Sequence, residues 1–309
     1  MQSGYSDLPV LVTGAGGFVG SHLYRRLLEE QARVSVILRP DRDYTRIGLD
    51  GAEVFRADIA DHDAVMKAFR ASRPRVVFHL AANLDRHRGL KGLDQLIQCN
   101  VMGTLNVLRA AASVGSEAVV YTGASEEYGR NPAPFAETQE PDPLTPYAAS
   151  KATATMWCRT LHRSLGLNCM AARLFMIYGP GQPDDILIAQ LLRAVNEDTP
   201  LRMTAGEQTR DFTWVGDAVE ALMRLGRQRR LGGQVFNVCT GHETQVRQVV
   251  AAFEEVLGRK LPVEFGAVNY RESELFRVWG SPYSLHGAIG YRPRTTLKEG
   301  IEQLLAGAG

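Results

Sequence analysis

The 309-residue chain has only four cysteines, Cys99, Cys158, Cys169 and Cys239, and no two of them stand in a C-x-x-C spacing. Their separation excludes a zinc ribbon or a disulfide framework and leaves reduced cysteines that belong mostly to a core. Long hydrophobic runs are missing as well. No apolar stretch reaches the ~20 residues that a membrane-crossing helix needs, and the opening MQSGYSDLP lacks the basic head and apolar run of a secretory leader. The expectation is a cytoplasmic protein without membrane contact. Charge of one sign is not in excess: 35 basic and 34 acidic residues give a formal net charge of +1, which offers no footprint for nucleic acid or an anionic surface. Fourteen prolines against 45% hydrophobic residues exclude a disordered chain and leave enough apolar side chain for one large or two medium cores.

What is present is a rhythm. Short β-branched runs at Val10–Thr13, Val34–Leu38, Val54–Arg56, Val76–His79, Val119–Thr122 and Cys169–Leu174 alternate with amphipathic stretches such as Ser21–Glu30, Ala60–Ala71 and Leu93–Val114. Strands separated by helices in this way form βαβ units, so the chain predicts an α/β fold with a Rossmann-type doubly wound parallel sheet. The alternation breaks at Tyr178-Gly-Pro-Gly-Gln-Pro183, a turn-rich stretch. Beyond it the pattern predicts helices over Asp185–Glu197, Gly216–Arg227 and Gln245–Leu257, a strand at Phe236–Val238 and a loop-rich tail from Leu261. The division expected is a dinucleotide-binding domain over 1–175 and a smaller C-terminal α/β substrate domain over 176–309, some segments of which return to the first.

Gly14, Gly17 and Gly20 recur every third residue between the first strand and the first helix. Such a turn lets backbone approach a pyrophosphate at a helix N-terminus, where free amides and the helix dipole favour the anion. The second strand ends in Arg39-Pro-Asp41-Arg42. An arginine there suits the 2′-phosphate of NADP, whereas an acidic residue accepts from the ribose hydroxyl of NAD. NADP(H) is therefore favoured and NAD(H) possible, with Asp41 available for the ribose and both arginines open to a reading as solvated loop charges. Asp58 is placed for the adenine edge, or as a cap for the following helix.

Tyr147 and Lys151 fall one turn apart if Tyr147–Leu165 is a helix. A neighbouring ammonium lowers a phenol's pKa toward neutrality, as a proton donor at a carbinol requires. His79 and His87 stand alone and no cluster with metal-ligand spacing forms.

With these pieces in place the chain resembles the extended short-chain dehydrogenase/reductases, in particular the nucleotide-sugar epimerases, dehydratases and reductases. The resemblance runs from Val10 to Leu304 and rests on TGAGGFVG, Phe78-His-Leu-Ala-Ala82, Asn100-Val-Met-Gly-Thr104, YGRNPAPFAE, YAASK, YGPG, RDFTWVGDA at Arg210–Ala218 and Gly290-Tyr-Arg-Pro293. It implies cofactor contacts from Gly14, Gly17, Phe18, Val19, Gly20 and Arg39. Further contacts are implied for Asp58, Ile59, Leu80, Ala81, Ala82, Asn100, Tyr147 and Lys151. Asn100 would support the active-site backbone or a proton-relay water.

The family places a Ser or Thr four residues before the tyrosine of the Tyr128-Gly129 pair, and here that position is Ala124. Ser125 substitutes if the segment bulges, Thr122 shares Ala124's face if the strand continues, and a water is a third candidate. Glu126 occupies the position where related dehydratases and decarboxylases carry an acid–base carboxylate, though it reads equally as a surface or capping glutamate.

On the substrate side the resemblance assigns Arg210 and Arg271 to a nucleotide diphosphate, which suits a planar guanidinium. Ion pairs of these arginines with Asp211 and Glu274 are the competing reading. Met176 replaces an asparagine that many relatives carry. The implied partner is a nucleotide-diphosphate sugar. The nearest likeness is to reductases of nucleotide 4-keto-6-deoxy sugars, with Tyr147 protonating the C4 oxygen and Lys151 holding the nicotinamide ribose. A 4-epimerase, dehydratase or decarboxylase that retains NAD is the alternative, and a non-catalytic cofactor-binding relative a minor one. The resemblance also implies a homodimer through Leu93–Val114 and Tyr147–Leu165, with Met156, Trp157 and Leu161 as an apolar stripe that fits a dimer or an intramolecular core.

Overall fold

A computed structural model describes residues 4–42, 44, 48–85, 87, 89–197, 199–271 and 274–307. Seven parallel strands form the central sheet: β1 (Pro9–Thr13), β2 (Arg33–Leu38), β3 (Ala52–Arg56), β4 (Val76–His79), β5 (Ala118–Ala124), β6 (Cys169–Leu174) and, from the C-terminal half, β11 (Val235–Val238). Their spatial order is β11-β6-β5-β4-β1-β2-β3, with Val10 aligned to Val34 on one side and Val76 on the other. The order reverses between β1 and β4, which is where doubly wound sheets open a crevice at the strand C-termini.

Both faces are covered, which is why the strands are continuously apolar rather than alternating. Val10, Val12, Val34, Val36, Phe78 and Val120 pack with α1 (Phe18–Glu29) and α7 (Val215–Gly226). Leu11, Ile37, Val77, Val119 and Tyr121 face the other way, toward α2 (His62–Ser72), α4 (Thr104–Val114) and α5 (Pro146–Leu165).

The helix expected over Leu93–Val114 is interrupted. A short α3 (Leu93–Leu96) passes through a π-helical stretch, Ile97–Gly103, into α4. Helix α5 starts one residue earlier than expected, with Thr145 accepting from the Ala148 N–H and Pro146 in the first turn. Of the apolar stripe on α5, Trp157 and Leu161 pack against the sheet core while Met156 is 55% exposed. Two of the three stripe residues thus belong to the intramolecular core.

Downstream of β6 lie elements that periodicity did not reveal because each is only two or three residues long: β7 (Met176–Tyr178), β8 (Leu201–Met203), β9 (Thr209–Arg210), β10 (Phe212–Trp214), β12 (Thr244–Gln245), β13 (Val263–Phe265) and β14 (Arg277–Val278). They pair as β10-β7, β12-β9-β14 and β13-β8. With α6 (Leu187–Glu197), α8 (Val246–Leu257) and α10 (Leu297–Ala306) they enclose a second core around Ile188, Leu191, Phe212, Phe253, Ile301 and Leu304. None of the helices of the described residues is long and apolar enough to cross a membrane.

Candidate active site

The crevice begins at the glycine turn. Gly14 has φ +76°, and a Cβ there would stand 2.6 Å from the Ala81 nitrogen, so β1 turns directly against the segment leaving β4. At Gly20 a Cβ would lie 2.0 Å from the Gly14 carbonyl oxygen, so α1 can pack onto the turn only without a side chain. Helix α1 has no side-chain N-cap and no acidic residue in its first turn. The unsatisfied amides of Phe18, Val19 and Gly20 and the helix dipole are thus left for an anion, and the turn fits the pyrophosphate of a dinucleotide. Gly20→Ala is expected to lose dinucleotide affinity at least tenfold, because the added methyl must push the first turn of α1 off Gly14; isothermal titration that returned unchanged affinity would refute this account.

A hydrogen-bonded chain ties this turn to the Tyr147 helix. His79 is fully buried between Thr13 Oγ1 at 2.7 Å and Thr104 Oγ1 at 2.9 Å. Thr104 donates to the Asn100 carbonyl, so it accepts from His79 Nε2–H, which leaves Nδ1 to accept from Thr13. Burial, with the Lys151 charge nearby, pushes the His79 pKa down to about 3, so the ring is neutral. Asn100, presented by the π-helical stretch, accepts from the Asn83 N–H and donates to the Asn83 carbonyl and to Ser150 Oγ, which in turn donates to the Tyr147 carbonyl. Its amide thus holds the Asn83 backbone and the Ser150 hydroxyl at once. Leu80, Ala81 and Ala82 line the same path half-buried.

Along the other wall, Ile59 is buried beneath Gly103. Asp58 is exposed and its carboxylate accepts from the Ala60 N–H, so it does not cap α2; Asp61 does, accepting from the Ala64 N–H. Arg39 lies 3.2 Å from Asp41, both partly exposed. A 2′-phosphate approaching Arg39 would meet this carboxylate too.

Tyr147 is 5% exposed and packs against Leu96 and Ala124. Where relatives of the resembled family carry a hydroxyl, this chain has a methyl in contact with the tyrosine. Strand β5 continues through Ala124, so Thr122 shares its face, but the Thr122 hydroxyl donates to the His79 carbonyl at 3.3 Å. Ser125 opens the 3-10 turn Ser125–Tyr128, buried, with its hydroxyl 3.4 Å from the half-buried Glu126 carboxylate. Lys151, 3% exposed, holds its ammonium 4.5 Å from the Tyr121 ring centre. Burial pulls its pKa down to about 8, against the opposing pull of Glu127 foremost.

The substrate-side residues gather only in part. A cavity of about 290 Å³ is lined by Met176, Arg210, Phe212, Thr204, Gln208 and Val268, among others. It brings Met176 together with Arg210, while Arg271 is exposed and lies outside its lining. Arg210 donates to Glu274 at 2.5 Å and to the Thr209 and Leu275 carbonyls, so the competing ion-pair reading holds for Glu274. It fails for Asp211, which is fully buried and bound by Thr240 and Gly241. Thr204, Gln208 and Val268 were missed because they sit in the loops beside the shortest strands, where sequence periodicity carries no message.

The NAD dependent epimerase/dehydratase family matches residues 10–239. A UDP-glucose 4-epimerase of Mycolicibacterium smegmatis is 31% identical, over 94% of this chain and 95% of its own. A GDP-6-deoxy-D-mannose reductase of Pseudomonas aeruginosa is 28% identical over 96% of each. Among solved structures, the Thermus thermophilus UDP-glucose 4-epimerase in complex with NAD is 30% identical with a TM-score of 0.84, covering 96% of this chain and 97% of that one. The family match spans the glycine turn, Tyr147 and Lys151, and the likeness to these enzymes extends over nearly the whole chain; the chain belongs to the NAD dependent epimerase/dehydratase family of the short-chain dehydrogenase/reductases.

Proposed function

We propose that this protein transfers hydride between NAD(H) and C4 of a nucleotide-diphosphate sugar, and that its net reaction is reduction of a 4-keto-6-deoxy sugar. One observation carries the choice: Tyr147 packs against the methyl of Ala124. The phenol is then the proton-carrying group on that side of the crevice, which suffices for delivering one proton to a ketone oxygen in one direction. When bound, the nicotinamide supplies the hydride. The protein's own work is to hold Tyr147 through Asn100 and Ser150, to keep a cation at Lys151 beside it, and to exclude water by burying both. Arg210 is the diphosphate ligand in this reading and exchanges Glu274 for the substrate anion; Arg271 joins it from the exposed tail.

NAD is preferred over NADP in this proposal because Asp41 already engages Arg39, and because the Thermus neighbour is described with NAD. Asp41→Asn is expected to tighten NADPH binding roughly tenfold, about 1.4 kcal/mol, with NADH little changed. Fluorescence titration of both nucleotides checks this, and equal effects on the two would sink it.

The second reading is a 4-epimerase that retains NAD, favoured by the 31% identity to the M. smegmatis UDP-glucose 4-epimerase. Denaturing the purified protein and identifying the released nucleotide separates the two. Stoichiometric NAD, with interconversion of C4 epimers and no added cofactor, supports the epimerase. Little bound nucleotide, with NADH consumed by a nucleotide 4-keto-6-deoxy sugar, supports the reductase. A homodimer through the Leu93–Val114 segment and α5 would bury Ile97 and Met102 of the π-helical stretch and Met156 of α5, all exposed here.

A further inference from the structure

Lys151 poses an electrostatic problem. An ammonium removed from water is costly, and burial alone favours the neutral amine. The groups whose charge or ring bears on it are the Tyr121 ring from β5, the neutral His79 from β4, Cys99 from the π-helical stretch, Cys158 from α5 itself, and Glu126 and Glu127 from the 3-10 turn; Tyr147, one turn before it on α5, adds a phenol. Two of these are carboxylates. Glu126 is half-buried; Glu127 is fully enclosed.

Glu127 is held on three sides. Its Oε1 accepts from the Ala124 N–H at 2.9 Å and from the hydroxyl of Thr155, one turn beyond Lys151, at 3.1 Å. Its Oε2 accepts from Arg173 Nε at 2.8 Å, and both side chains of this pair are at most 3% exposed. Arg173, on β6, lies over the Tyr128 ring at 4.3 Å, and its buried Nη1 has no hydrogen-bond partner. The pair thus turns its negative end toward α5 and its positive end toward β6. Replacing a buried ion pair with apolar side chains is often neutral or stabilising, so packing alone gives no reason to place one here.

We infer that Glu127, seated on Arg173, is a positioning residue that serves as the fixed countercharge for the Lys151 ammonium and at the same time fixes the turn presenting Ser125 and Glu126. What Lys151 does in turnover rests on the function proposed above; its charge state does not, and can be read without any substrate. The pull of Glu127 is the largest influence opposing the burial that brings Lys151 to about 8. At neutral pH the group is therefore mostly ammonium, and it loses its proton as pH rises through about 8.

The test is an NMR titration of the cofactor-free protein labelled with side-chain 15N-lysine. The chain has five lysines, Lys67, Lys91, Lys151, Lys260 and Lys298, and Lys151→Met assigns the signal. Wild-type Lys151 is expected to titrate near 8, and in Glu127→Gln about one pH unit lower, a tenfold fall in the ammonium-to-amine ratio at a given pH. Since Glu127→Gln strands the Arg173 charge, the double variant Glu127→Gln/Arg173→Met removes both charges together and should show the same direction. Glu126→Gln, at a half-exposed position, should move Lys151 by far less. The inference is overturned if wild-type Lys151 titrates below neutrality, if it keeps its value in either folded Glu127 variant, or if Glu126→Gln shifts it as far. Failure to turn over any nucleotide sugar would touch the proposed function and leave this titration unaffected.

Discussion

Tyr147→Phe should cost about 10²–10⁴-fold in the rate of hydride transfer, the usual worth of a positioned acid–base group, while the Michaelis constants for cofactor and sugar stay within a few-fold. The ring is what packs against Leu96 and Ala124, and phenylalanine keeps that packing, so the folded state and the crevice should be preserved. The loss would then belong to the proton alone. Single-turnover measurement of nicotinamide absorbance gives the rate, and thermal unfolding checks the fold. A variant retaining a tenth or more of the wild-type rate would remove Tyr147 from the chemistry and return Ser125 or Glu126 to consideration. The Lys151 titration adds a pH signature: the ammonium beside the phenol is present below about pH 8 and lost above it, so activity that depends on this cation should fall on the alkaline side in the wild type.

Asp211→Ala carries the second large effect, on stability and on the substrate side together. The carboxylate is fully buried and accepts from the Thr240 N–H at 2.8 Å, the Thr240 hydroxyl at 2.7 Å and the Gly241 N–H at 2.9 Å. Each donor left without a partner costs about 1–3 kcal/mol, so a loss on the order of 3–9 kcal/mol is expected, a large share of the ~5–15 that holds a domain together. Denaturant unfolding measures it, and a change under about 1 kcal/mol would mean the junction relaxes or takes in water. Because Asp211 sits between Arg210 and β10, the sugar Michaelis constant should rise while dinucleotide affinity holds. Acid should not mimic the substitution. Burial raises the carboxyl's pKa above its ordinary value, more than the hydrogen bonds lower it. The folded state therefore binds this proton more tightly than the unfolded chain, and protonation on acidification favours the fold at this group.

Parts of this protein are legible in its sequence because they depend on neighbours a few residues apart. The spacing of Gly14, Gly17 and Gly20 reports a turn that tolerates no Cβ, and the four-residue step from Tyr147 to Lys151 reports one helical face. The strands of the first half follow from short β-branched runs because both faces of a parallel sheet are buried. Element ends were displaced by one to three residues: α1 begins at Phe18 directly behind the glycine turn without a side-chain cap, and α2 begins behind its cap Asp61 rather than Asp58. The absence of a hydroxyl at Ala124 was also readable, but not its consequence, which is a methyl packed on the tyrosine.

Charge partners are another matter. Arg39 and Asp41 were both readable at the end of β2, but not that their side chains lie 3.2 Å apart. Arg210 meets Glu274 across 64 positions and Arg173 meets Glu127 across 46. Composition and periodicity count such groups without saying which of them lose their water together. By itself the sequence determined the class of fold, the dinucleotide turn and the Tyr147–Lys151 pair, all set by steric and helical rules acting over one or two turns. The tertiary structure alone decided that Arg173 meets Glu127 and Arg210 meets Glu274, because those pairings arise only when segments distant in the chain close on one another and exclude the solvent between them.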